Sequence, residues 1–160
     1  MNDYTYNNIE SSRREYDALP YSEWRKDYFN EENGGYLVTS WKRIEEAERN
    51  RKEKIKFDNE HNICLTYARS GLKIMHYEDD KPEGTFDVIC DGFKGDLKRT
   101  KGHGNIVRYA RYAVKEQGAE IVLFEFEEWG TKVRDAVSEM IRKKYHGYYF
   151  ISGDQVVHHF

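Results

Sequence analysis

The sequence predicts an α/β protein with a mixed β-sheet flanked by helices, and three observations lead to that prediction. From Ile55 onward, apolar patterns follow the order helix, three strands, helix, strand, helix, strand. The Asp91-Gly92 pair in "FDVICDGFKGDLK" is a strong signal for a two-residue hairpin turn, which makes its two strands antiparallel. Strand-helix-strand units usually make their strands parallel, so both kinds of pairing are expected.

Glycine, proline and acidic turn residues separate the expected elements. Beside the two hairpin strands, strands are predicted within 34–41, 72–78, 120–126 and 148–154, and helices within 55–70, 105–117 and 131–147. Together they form an αβββαβ core with an additional C-terminal helix-strand unit. Asn105 is suited to cap the start of the second core helix, and Gly71 and Gly118 are suited to end helices.

The chain divides by composition into residues 1–33 and 34–160. The first segment carries eight acids against four Lys or Arg and lacks clear periodicity, so we expect a polar, acidic N-terminal arm. The second is expected to form one α/β domain, ending in a mobile tail at "VVHHF". Cys64 and Cys90 lie in apolar segments without a CxxC pattern, which indicates buried free thiols.

Hydropathy argues against a membrane protein. No apolar run approaches the roughly 20 residues that span a bilayer, and the polar start lacks the apolar core of a secretory signal. We therefore expect a cytoplasmic protein without a membrane partner.

The hairpin places two acids opposite each other. If Asp91 and Gly92 form the turn, Asp87 pairs with Asp96, and like charges facing each other destabilise a sheet. Lys98 lies on the same strand face as Asp96. Two carboxylates and an ammonium suit a hard divalent cation such as Mg²⁺ or Mn²⁺. The alternative is a solvated acid pair with Lys98 as an ordinary salt-bridge partner.

A basic segment follows the hairpin directly. Residues 98–115 contain six Lys or Arg and no acid, although the formal net charge of the whole chain is -3. Helical spacing places Arg108, Arg111 and Lys115 on one face, while Lys101, His103 and Asn105 precede that face at the helix start. This pattern indicates binding of nucleic-acid phosphates. The alternative is a solvated helix face.

The acids and lysine resemble a known nuclease motif. Asp87, followed by Asp96-Leu97-Lys98 after a hairpin, resembles the PD-(D/E)xK motif of the restriction-endonuclease-like superfamily, with Phe86 where proline is usual. The resemblance implies a metal-dependent nuclease in which Asp87 and Asp96 hold Mg²⁺ or Mn²⁺ and Lys98 assists the attacking water. It also implies that Glu60, on the first core helix, joins the metal ligands.

A second resemblance covers roughly residues 34–152. Tyr67-Ala68, Gly71 and "NIVRYARYAVKEQGAEIVLFEF" are similar to small nuclease domains of bacterial contact-dependent inhibition toxins and of phage minor head proteins. This similarity implies a toxin or mobile-element nuclease that cuts tRNA or other RNA in preference to DNA, with an immunity protein or another protein as a partner.

Two alternative functions remain open. Some of these domains are metal-independent RNases of the barnase/colicin/RelE-like type, and that chemistry would use His103, Lys98 and Arg108. The other alternative is a non-catalytic phage or mobile-element protein that binds nucleic acid or inhibits a host complex.

Overall fold

Helices and strands alternate along the chain in the computed structural model, which describes residues 3–101 and 104–160, the first five of them by backbone alone. The elements are α1 (Asp3–Ala18), β1 (Trp24–Phe29), β2 (Tyr36–Ser40), α2 (Trp41–Ala47), α3 (Arg51–Arg69), β3 (Lys73–His76), β4 (Val88–Cys90), β5 (Phe93–Thr100), α4 (Ile106–Glu116), β6 (Ile121–Phe126), α5 (Thr131–Arg142), β7 (Gly147–Ile151) and β8 (His158–His159). Among the residues described, no helix combines the length and apolar character that crossing a bilayer requires.

The fold consists of two units, and each is made from two separate pieces of chain. The first unit combines Met1–Asp79 with Val88–Gly92, and the second combines Asp80–Asp87 with Phe93–Phe160. Each unit contains both parallel and antiparallel strand pairs. The predicted α/β class with a mixed sheet is therefore confirmed. A restriction-endonuclease-like core is a narrower statement and stays a prediction.

In the first unit, β2 pairs with β1 antiparallel and with β3 parallel, and β3 pairs with β4 antiparallel. Asn50 begins α3 by accepting a hydrogen bond from the Glu53 backbone N–H, as an N-cap side chain does. The helix ends before Gly71, whose φ of 110° is a left-handed conformation suited to glycine. Cys64, on α3, and Cys90, on β4, are buried and form no disulfide within the described residues, as predicted.

The N-terminal segment, predicted to be a polar arm without clear periodicity, contains regular structure. It forms α1 and β1, and the rings of Tyr16 and Trp24 are buried. Tyr16 contacts the ring of Tyr36 on β2 at 5.5 Å between centroids. Aromatic burial at a few widely spaced positions holds this segment, and such spacing leaves little aliphatic periodicity to detect.

The second unit has a core between its helices and one face of its sheet. β6 pairs parallel with both β5 and β7. Every second residue of β6 packs against apolar side chains of α4 and α5. Together the residues of these three elements form one buried cluster, which contains Ile106, Ala110, Ala113, Val122, Phe124, Phe126, Val133, Val137 and Met140. In the register of β5 and β6, Asp96 is paired with Val122 and Lys98 with Phe124, so both polar residues lie on the helix-covered face.

The prediction of a mobile tail is wrong, because residues 158 and 159 form a strand. β8 pairs antiparallel with β7, and the Phe160 backbone exchanges two hydrogen bonds with Gly147. The Phe160 ring is buried in the core of the second unit. The aromatic residue at the end of "VVHHF" was the sequence signal for an ordered C-terminus, because burying a phenyl ring contributes about 1.5–3 kcal/mol.

The hairpin turn is present as predicted. β4 ends at Cys90, β5 begins at Phe93, and the two residues between them have positive φ angles of 47° for Asp91 and 88° for Gly92. Two consecutive left-handed residues define the type I′ turn that Asp-Gly favours. Asp87 lies immediately before β4, and Asp96 lies within β5.

Candidate functional site

Asp96 is a buried acid in the middle of β5. Its side chain is 1% exposed, and its Oδ2 lies 3.1 Å from the Nζ of Lys98, two residues along the same strand. Lys98 remains 25% exposed. A buried carboxylate requires a charge partner or hydrogen bonds to offset its lost hydration, and this ammonium supplies both. The predicted proximity of Asp96 and Lys98 is therefore present in the structure.

Gln117 supplies a second partner to Asp96. It follows the last residue of α4, and with its amide nitrogen turned toward the acid this nitrogen lies 3.2 Å from Asp96 Oδ1 and 3.1 Å from Oδ2. In the opposite orientation the amide oxygen would face the carboxylate, so the donating orientation is the one that satisfies both groups. Asp96 is thus held by one cation and one neutral donor.

Asp87 lies immediately before β4 and flanks Asp96. Its backbone N–H donates to the Gly95 carbonyl at 2.9 Å, and its Oδ2 accepts from the Leu97 N–H at 2.8 Å. These bonds join Asp87 to the residues on both sides of Asp96. Asp87 is itself buried. These two hydrogen bonds therefore place Asp87 beside Asp96 on β5, and a backbone donor stabilises the Asp87 carboxylate.

Lys81 contacts Phe86, the residue that precedes Asp87. Its ammonium donates to the carbonyl of Phe86, and it lies 4.4 Å from the centroid of the Phe86 ring. The side chain thus fixes the residue that precedes the acid through both a hydrogen bond and a cation–π contact. In the sequence, Lys81 lies in a stretch rich in turn residues, and Gln117 is only the end of a predicted helix. No pattern in the sequence distinguishes either residue from a surface side chain.

Asp87 and Asp96 offer carboxylate oxygens as candidate ligands for a hard cation. Asp87, Asp96 and Lys98 together carry a formal charge of -1, and carboxylate oxygens are the ligands that Mg²⁺ and Mn²⁺ prefer. Within the described residues, no group of three or more His, Cys, Asp or Glu could hold a metal ion. Two carboxylates remain compatible with Mg²⁺, which keeps several waters and often binds through one or two carboxylates and substrate phosphates.

Glu60 is part of a polar cluster within the first unit. Its Oε2 lies 3.1 Å from Arg43 Nη2 and 3.3 Å from His76 Nε2. Burial alone would raise the pKa of this carboxyl, but the hydrogen bond and charge of His76, with Arg43 and Lys56, lower it below its usual value. The structure thus gives Glu60 ion-pair partners, while its role as a metal ligand stays a prediction.

The same cluster contains two histidines around Phe57. The Phe57 ring stacks on His61 and on His76, with centroids 5.1 and 5.6 Å away. Burial lowers the pKa of His61 to about 4, with Arg25 and His76 adding to the shift and Asp27 opposing it. His61 is therefore neutral at pH 7, in a position where its protonation is unfavourable.

Acid should destabilise the protein through His61. An unfolded histidine takes up a proton near pH 6.5, whereas the folded one resists protonation down to about pH 4. The stabilisation is fully present above pH 6.5 and is lost as the pH falls toward 4. We expect the free energy of unfolding to fall by about 2–3 kcal/mol between pH 7 and pH 4.5. Urea titrations at several pH values measure this change.

The variant His61→Gln provides the control, because it removes the titrating group and keeps a polar side chain. Its free energy of unfolding should depend less on pH across the same interval. The expectation is contradicted if the variant and the original protein show equal slopes.

The basic residues lie on the outer face of α4. Arg108, Arg111 and Lys115 are exposed, and with Tyr112 and Glu116 they line a shallow cavity of about 230 Å³. We call these three cations the basic stripe. No ion pair of the stripe is found within residues 3–101 and 104–160. The predicted common face is therefore present.

The other predicted phosphate-binding residues and Arg99 do not belong to the basic stripe. Arg99 points away from the stripe and lies 3.4 Å from both Glu125 and Glu127. Lys101 is exposed at the end of β5. Asn105 precedes α4 as predicted, but its side chain makes no capping hydrogen bond. His103 falls outside the described residues, so its predicted role stays a prediction.

Comparison with known proteins gives no relative. The chain matches no protein-family model, no curated protein and no solved structure.

Proposed function

We propose that this protein is a divalent-metal-dependent nuclease that hydrolyses phosphodiester bonds of nucleic acid. The observation that carries the proposal is the joint placement of Asp87, Asp96 and Lys98 by the hairpin and β5. Two buried acids beside one partly exposed lysine suit an ion site next to a reacting phosphate better than they suit a surface salt bridge.

Each side chain has a distinct task in this chemistry. A bound Mg²⁺ or Mn²⁺ would supply an activated water and offset the negative charge that develops on the phosphoryl oxygens. Asp87 and Asp96 would provide the carboxylate oxygens that hold the ion. Lys98 would orient the attacking water and donate a hydrogen bond to the phosphate, because its ammonium is partly exposed while Asp96 fixes its position.

The basic stripe would bind the substrate backbone. Arginine and lysine on one exposed helix face can contact successive phosphates without reading sequence. The preference for RNA, including tRNA, follows from the resemblance to toxin nuclease domains and is an analogy. A cytoplasmic site of action and an immunity protein partner belong to the same proposal.

Cleavage assays test this function directly. The purified protein is incubated with tRNA, generic RNA, single-stranded DNA and double-stranded DNA, in Mg²⁺, in Mn²⁺ and in EDTA. We expect cleavage that requires a metal ion. Cleavage that persists in EDTA would favour the metal-independent RNase built on His103, Lys98 and Arg108. Binding without cleavage in every condition would favour the non-catalytic nucleic-acid-binding protein.

Removal of two charges from the basic stripe should weaken substrate binding. In Arg108→Gln/Arg111→Gln, two phosphate contacts are lost, so the slope of log affinity against log salt should decrease by about 1.4 for single-stranded nucleic acid. Fluorescence anisotropy with a labelled oligonucleotide at several salt concentrations measures the slope. The control is Arg142→Gln, which alters an exposed arginine on α5 that pairs with Glu139. Equal slopes for all three proteins would exclude the stripe as the binding surface.

A further inference from the structure

Three aromatic rings stack in series at the surface of the second unit. The ring of Trp129 lies 5.7 Å from that of Tyr149 at an interplanar angle of 10°, and Tyr149 lies 4.8 Å from His158 at 17°. With Ile151 and Asp154 they line a cavity of about 410 Å³, which we call the aromatic cavity. Its volume lies in the range of small-molecule sites, and Trp129 is 49% exposed. The indole is therefore accessible to a ligand.

The aromatic cavity lies at a functional edge of the sheet. Trp129 follows β6, Ile151 ends β7, and Asp154 comes three residues later. These strands are parallel, so their carboxyl ends share one edge, and β5, which bears Lys98, ends at the same edge with Thr100 opposite Phe126. Ligands of open α/β sheets bind outside the carboxyl ends of the strands. The position favours a ligand that also approaches the end of β5.

Stacked aromatic side chains favour a planar, aromatic ligand. Nucleobases stack on Trp, Tyr and His rings in sites for unpaired nucleic acid, whatever the base, because every base offers a π-face. An aliphatic ligand would gain apolar contact with the exposed ring but not the ring-on-ring stacking that a planar base gains. The three rings therefore select a base, and selection between bases depends on the polar group beside them.

That polar group is the carboxylate of Asp154. The turn holds it in place, because its backbone N–H donates to the Ile151 carbonyl at 2.8 Å and its Oδ1 accepts from the Val156 N–H at 3.0 Å. No further partner of this carboxylate is found in the described part of the chain. A carboxylate only accepts hydrogen bonds. Guanine presents two adjacent N–H donors on its pairing edge, whereas adenine presents one donor beside an acceptor that would repel the acid.

We propose that the aromatic cavity binds an unpaired guanine base, stacked on Trp129 and hydrogen-bonded to Asp154. The occupant rests on the proposed nuclease function, since the guanine would belong to the nucleic acid that is cleaved. The site would confer a preference for substrates with an unpaired guanine near the cleaved bond.

Calorimetric titration with guanosine 5′-monophosphate and adenosine 5′-monophosphate tests the site, in EDTA so that a metal ion at the acid pair does not contribute to phosphate binding. We expect the guanosine nucleotide to bind about tenfold more tightly. Trp129→Ala should weaken its binding by about tenfold, and Trp129→Phe should retain most of it. Asp154→Asn should reduce the affinity for the guanosine nucleotide to that for the adenosine nucleotide. The control is Tyr21→Ala, which removes an exposed aromatic ring of the first unit.

Equal binding of the two nucleotides, or binding that neither Trp129→Ala nor Asp154→Asn changes, would overturn the guanine site. The two proposals fail separately. Metal-dependent cleavage without selective guanosine binding would overturn the site and leave the nuclease in place. Selective binding by a protein that cleaves no substrate would support the site and overturn the nuclease.

Discussion

Asp96→Asn is expected to reduce metal-dependent cleavage by at least about 10²–10³-fold, the loss typical when a group that stabilises charge at the reacting centre is removed. The substitution keeps the size of the side chain, and its amide oxygen can still accept from Gln117. It removes the charge that would hold the metal ion and that now pairs with Lys98. Initial rates of cleavage in Mg²⁺ and in Mn²⁺ measure the effect.

The matched control is Asp135→Asn, which neutralises an exposed acid on α5. Its rate should equal that of the original protein, and circular dichroism should show that both variants are folded. Undiminished cleavage by Asp96→Asn would remove the acid from the mechanism.

The stability of this variant is a second readout. From the sequence, opposed aspartates suggested that removing one would relieve repulsion. The structure gives each acid its own partner, because Lys98 and Gln117 contact Asp96 and the Leu97 N–H donates to Asp87. We therefore expect Asp96→Asn to lower the free energy of unfolding by about 1.5–3 kcal/mol, the range for a hydrogen bond to a charged group.

Arg43→Met is expected to cost about 3–5 kcal/mol of folding free energy, the usual range for breaking one side of a buried ion pair. Arg43 is 0% exposed, and its guanidinium lies 3.1 Å from Glu60 and 3.8 Å from Glu46. Methionine fills a similar space but leaves both carboxylates without that cation. His76 cannot replace it fully, since its ring must be protonated to carry charge. Chemical denaturation followed by circular dichroism measures the loss.

Lys54→Met is the matched control. Lys54 forms an exposed pair with Asp58 one helical turn away, and such pairs contribute about 0.3–0.5 kcal/mol. A loss for Arg43→Met no greater than that for Lys54→Met would show that the buried cluster does not stabilise the first unit.

The sequence predicted the second half of the fold well because its signals are local. Asp91-Gly92 favours a turn through its backbone preference. The apolar run in "EIVLFEF" indicates a strand, and the helical periodicity of α5 indicates an amphipathic helix. The N-terminal segment gave no such signal. α1 is polar over most of its length, and the ring of Tyr16 is buried through long-range contacts that no local pattern reveals.

The candidate site also contains residues that the sequence could predict and one that it could not. Asp87, Asp96 and Lys98 could be grouped from the sequence, because one hairpin and one strand determine their positions. Gln117 could not be added, since its contact with Asp96 depends on how α4 packs against the sheet. Arg99 differs from the other cations of the basic segment. The sequence grouped it with them, but strand alternation places its side chain beside Glu125.

The interleaving of the two units constrains how this chain could be divided or recombined. A fragment beginning at Phe93 would keep Asp96 and Lys98 but would lose Asp87, which belongs to the piece Asp80–Asp87. Between those pieces lie β4 and the turn, which belong to the other unit. A cut after Asp79 would keep both acids on the fragment 80–160, but that fragment would also contain β4 and the turn of the first unit, so no single cut separates the two units. The acid pair can be inherited only together with a part of the first unit.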